Sequence, residues 1–121
     1  MAARTFAIFT AAALLLPAPA LAQYLPQNDP APGASSLMSS NFSSAEREIR
    51  GADVSRYDPA RSINLGIAFA KTGQVEKAQR EFNQVLREDD VQLVVANGRS
   101  YSSHEVAQRA LDAMHGGVLS Q

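Results

Sequence analysis

Few side chains in this chain could carry chemistry. His104 and His115 are the only histidines. On one helix their spacing returns to nearly the same face, but about 16 Å apart along the axis at 1.5 Å per residue, so they cannot share a metal. Both read as surface or helix-end residues, and a helix C-terminus favours His115 when it is protonated. Glu88, Asp89 and Asp90 form a dense carboxylate run. No glycine-punctuated calcium loop surrounds it, so it reads as a solvated junction between a helix and a strand. The serines carry no nucleophile elbow, and there is no phosphate loop or dinucleotide fingerprint. With no cysteine, thiol redox chemistry, cysteine-held metals and disulfides are excluded. The reading is therefore no catalytic residue, no metal ligand, no cofactor and no enzyme.

The elements that must position any binding residue start from residues 59–88. Asp58 can cap a helix with its carboxylate, and Pro59 sits where a missing N–H costs nothing. Leu65, Ile67, Ala68 and Phe69 recur at helical spacing. Gly73 supplies the left-handed position that ends this helix. A second helix puts Val75, Ala78, Phe82, Val85 and Leu86 on one stripe. The first helix also carries Ile63 and Ala70, so it is apolar nearly all round and predicts burial on more than one side.

Leu65-Gly66, Phe69, Gly73, Ala78 and Phe82 stand at the spacing of a tetratricopeptide repeat, which this hairpin resembles as a single copy. Small residues at Gly66 and Ala78 suit a close helix crossing, and Leu65, Phe69 and Phe82 fill the space around it. Ser62 and Asp90 depart from the pattern, where the family often has an aromatic and a proline. The resemblance implies a peptide-binding face on the first helix, with an Asn before the Leu-Gly pair bonding a peptide backbone. Asn64 holds that position. Ala60, Asn64, Ile67 and Lys71 share a face by spacing, so Asn64, Ile67 and Lys71 are the candidate partner-binding residues, expected to face outward.

Residues 1–22 have the layout of a secretory leader: Arg4, an apolar run from Phe6 to Leu16, two prolines, then Ala20-Leu21-Ala22. The run is shorter than the roughly 20 residues a bilayer span needs. The expectation is cleavage after Ala22 and export, to the periplasm or beyond, with no stable membrane anchor left. Losing Arg4 takes the basic count from 11 to 10 against 12 acidic residues. That balance does not predict a nucleic-acid partner.

Residues 23–44, rich in Pro, Ser, Asn and Gly, read as a flexible linker. Residues 45–117 form the domain and 118–121 a tail. Ser43 and Glu46 have capping-box spacing for a short helix at 45–50, which offers the core little beyond Ile49. Asn97-Gly98 predicts a two-residue β-hairpin loop, pairing Ala96 with Arg99, Val95 with Ser100 and Val94 with Tyr101, with Val91, Leu93 and Val95 inward. Ser102 with Glu105 opens a last helix whose Val106, Ala107, Ala110, Leu111 and Met114 would cap the repeat.

The fold class is thus mainly α: one tetratricopeptide-like helical hairpin, a short β-hairpin and a C-terminal capping helix. The function expected is a small exported interaction module that binds an unidentified protein or peptide, with self-association open. The alternative is an accessory or structural subunit of an envelope or secretion assembly.

Overall fold

The computed structural model describes residues 31–95 and 98–116, together with the backbone of residues 7–8. It is mainly helical, with a short antiparallel hairpin before the last helix. In chain order the elements are β1 (Ala7–Ile8), α1 (Ala34–Met38), α2 (Phe42–Gly51), α3 (Pro59–Lys71), α4 (Val75–Arg87), β2 (Gln92–Val95), β3 (Ser100–Ser102) and α5 (Ser103–His115).

α3 is the central element. Asp58 Oδ1 accepts from the Ala60 and Arg61 amides at 2.9 and 3.2 Å, and Pro59 follows it. Gly73, at φ +81°, turns the chain into α4. The Thr72 hydroxyl closes the end of α3 by donating to Ala68 O at 2.9 Å. α4 turns Ala78, Phe82 and Val85 inward at spacings of four and three residues. The helices cross so closely at Gly66 that a Cβ there would lie 2.7 Å from Phe82 Cε1. Only glycine admits the ring at that distance.

α3 is buried from Ser62 through Ala70, around its whole circumference. α4 and α2 supply most of the cover, with smaller contributions from α5, α1 and β1. This corrects the expected arrangement, in which the C-terminal segment alone closes the exposed sides. α5 packs chiefly on α4 and only secondarily on α3.

The linker expectation is corrected for residues 31–44, while 23–30 lie outside the described residues. Ala31, Ala34 and Leu37 belong to the core, and Met38 and Phe42 pack against it. α2 also starts earlier than its spacing predicts. Asn41, not Ser43, is the N-cap, and its side chain accepts from the Ser44 amide at 3.4 Å. Ile49 is fully buried, so this helix is a core element. Few apolar residues are needed when nearly every one is covered.

The β-hairpin differs from the expected register by one residue. Leu93 pairs with Tyr101 and Val94 with Ser100. That register is not the one a two-residue Asn97-Gly98 loop would impose, and Gly98 stands at φ +82°. Leu93 points inward as expected, but Tyr101 now shares its face. The Ala96–Arg99 pairing, the inward side chain of Val95 and the tail at 118–121 lie outside the described residues. β1 adds a third strand, parallel to β2, at Ala7–Val94 and Ile8–Val95.

The acidic junction is more than a solvated turn. Ser103 N donates to Val91 O at 2.7 Å, and Val91 N donates to Ser103 Oγ at 3.0 Å. Asp90 Oδ1 accepts from both Ser103 Oγ and His104 N, at 3.2 and 3.0 Å. His104 Nε2 lies 2.7 Å from Glu88 O. Desolvation pushes the Asp90 carboxyl up, but the bonds from His104, Ser102 and Ser103 and the His104 charge outweigh it. The net result is a carboxyl held below its ordinary value of 3.8. A lowered folded pKa stabilises fully above the unfolded value and is lost as pH falls through the folded one. Asp90→Asn is therefore expected to weaken this neck between Val91 and Ser103 at neutral pH and to flatten the loss of melting temperature as pH falls through and below the ordinary carboxylate range. An unchanged acid limb would show that Asp90 does not clamp the neck.

Candidate functional site

Asn64, Ile67 and Lys71 do not form the outward face expected of them. Asn64 and Ile67 are fully buried and Lys71 is half-buried. The cause is the packing around α3: the stripe that carries Asn64 is interior, not solvent-facing. Neither Asn64 Oδ1 nor Nδ2 has a hydrogen-bond partner. A buried amide left this way costs roughly 1–3 kcal/mol. The all-round apolar character of α3 was the signal that its one amide lies inside.

The open, strongly polar surface lies instead along α3 and α4. The α4 residues that point inward leave Arg80 and Arg87, seven residues or two turns apart, on the outward side. Arg61 comes from the first turn of α3, and Arg56 from the turn before it. With Glu81 and Gln84 these residues line a groove of about 650 Å³. A second groove of about 300 Å³ shares Arg61, Arg80 and Glu81 and adds Arg50 and Lys77 over Leu65 and Phe69. Six cations therefore face one lining carboxylate, so the surface is strongly positive even though the chain's net charge is −1.

The cations are held differently. Arg50 is paired with Glu46 at 3.2 Å. Lys77 Nζ lies 5.6 Å from the centre of the Phe69 ring and donates to Gln74 Oε1 at 3.1 Å. The Arg56 guanidinium lies 5.7 Å from the Tyr57 ring centre, and Arg87 donates to Gln84 Oε1 at 2.9 Å. Among the described residues, Arg56, Arg61, Arg80 and Arg87 make no ion pair within 4.0 Å. Burial pushes the Glu81 carboxyl above its ordinary value; Arg61, the Ser62 hydroxyl, Arg56 and Arg80 oppose the shift without cancelling it. The groove can take carboxylates, since guanidinium forks bind them in bidentate fashion.

His104 and His115 remain apart in role: the first is tied to Glu88 O, the second is exposed. Among the described residues no cluster of three or more His, Asp or Glu side chains could hold a metal ion, and no helix is long and apolar enough to cross a membrane. Sequence reading missed the arginine groove because a near-zero net charge conceals clustering. The usable signal was the pair of seven-residue and five-residue spacings, Arg80 to Arg87 and Arg56 to Arg61, on the elements that pack together. Comparisons with family models, with curated proteins and with solved structures return no match.

Proposed function

We propose that this chain is a small exported, non-enzymatic protein–protein interaction module built on one tetratricopeptide-like helical hairpin, and that its α3–α4 groove binds an acidic segment of a protein partner. The observation that carries the reading is the set of four arginines along one groove with a single carboxylate among them. An acidic peptide satisfies several guanidinium forks at once and leaves the half-buried Glu81 as the element that sets register by repulsion. Nucleic acid is a poorer fit. Its phosphates call for a basic face uninterrupted by carboxylates, and the chain as a whole is slightly acidic.

A hepta-glutamate peptide titrated into the mature chain at low and high salt tests this. Arg80→Gln with Arg87→Gln is expected to weaken binding about tenfold, the equivalent of about 1.4 kcal/mol, with the melting temperature nearly unchanged because both residues are exposed. Glu81→Gln is expected to tighten binding. Affinity that ignores salt and both variants would remove the groove from the function.

A further inference from the structure

The second surface is the edge of β2. One side of β2 is paired with β3. Among the described residues, the other is paired, in parallel, with Ala7 and Ile8 of the expected leader. Those residues sit inside the apolar run that the leader reading removes. Once they leave, the backbone groups of β2 that faced them lose their partners, and an unpaired edge beside a packed core is a template for another strand. β1 also lies against α3, so its departure uncovers part of that helix as well as the strand edge. On the same helix the Asn64 amide is fully buried and unpartnered while the leader strand is in place.

We propose that the β2 edge and the adjoining side of α3 form a slot that takes an extended, uncharged peptide strand of a partner protein, running parallel to β2, and that the leader fills this slot until it is removed. Recognition is by main-chain hydrogen bonds, with apolar side chains of the incoming strand packing toward α3. The occupant's chemistry follows from what the chain itself places there: Ala7–Ile8 in β conformation, two uncharged residues within an uncharged stretch of sequence. This slot is separate from the arginine groove. It rests on the reading that the leader is cleaved, which mass spectrometry of exported protein decides independently: an N-terminus at Gln23 supports cleavage, one at Met1 overturns it.

The test uses a fluorescent synthetic peptide copying residues 4–11, and the same peptide N-methylated at Ala7 and Ile8. Both are titrated into the full-length chain and into the chain beginning at Gln23, with a cooperative thermal melt required of each protein. The mature chain is expected to bind the unmodified peptide and to bind the methylated one at least about tenfold more weakly. The full-length chain, with its slot filled, is expected to bind neither. Arg80→Gln with Arg87→Gln is expected to leave this affinity unchanged, which separates the slot from the acidic-peptide reading. Equal affinity for the two peptides, binding by the full-length chain, or no binding at all overturns the proposal. Binding only by a chain beginning at Ala31 makes residues 23–30 the occupant and overturns a partner peptide. A concentration-dependent dimer that the peptide dissolves makes a second copy the occupant, with the same consequence.

Discussion

Phe82→Ala is expected to lower stability by about 3–5 kcal/mol, the largest effect of any single substitution considered. The ring is fully buried and lies against Gly66, where a Cβ would meet it. Truncation removes its transfer energy and leaves a cavity that rigid helices close only in part. A domain of this size has only about 5–15 kcal/mol in total, so the variant should be largely unfolded in modest urea. A double-mutant cycle makes the result specific. Gly66→Ala clashes with the ring in the wild type but projects its methyl into the vacated space when Phe82 is absent. The two substitutions are therefore expected to couple favourably, by roughly 0.5–3 kcal/mol. Additive effects would mean the ring and the glycine do not share a crossing.

A chain beginning at Ala45 is expected to be less stable than one beginning at Ala31 by on the order of 3–6 kcal/mol, summed over Leu37 and the partly covered Met38 and Phe42. Leu37 is buried, and with Ala31 and Ala34 it forms the N-terminal part of the core. Without that segment Ile49, which is fully covered in the intact chain, loses neighbours on its outer side. Urea titration of the two chains measures the difference directly. Equal midpoints with equal slopes would return residues 31–44 to the role of a linker.

The helical hairpin was legible because its signals are local and agree with one another. Asp58-Pro59 starts α3, Gly73 ends it, and Ala78 and Phe82 fix the face of α4. The cap of α5 by Ser102 was legible for the same reason, since Glu105 N donates to Ser102 Oγ at 3.0 Å. What composition hid is long-range. Residues 31–44 look too polar to fold, yet α1 and α2 need only Leu37, Ala45, Ile49 and a few small residues to dock, because α3 offers an apolar surface on every side. The hairpin register was misread because a turn signal marks where the chain reverses but does not fix the strand pairing, which sets Leu93 opposite Tyr101. Asn64 was misplaced because spacing assigns a residue to a stripe, and only the neighbours decide whether that stripe meets solvent. The arginine groove draws on two helices and a turn, and no single window of sequence contains it.

The neck formed by Val91 and Ser103 ties together two points 12 residues apart. It therefore closes a ring without a covalent bond, and the entropy of ring closure is settled there rather than at the hairpin tip. Polymer statistics make the length of such a ring a weak variable: each doubling of a closed loop costs only about 0.6 kcal/mol. The tip around Gly98 is thus the position where this small domain can lengthen, vary or accept an inserted segment at least expense to its core. The helices would feel such a change only through the neck, whose hydrogen bonds the tip does not touch.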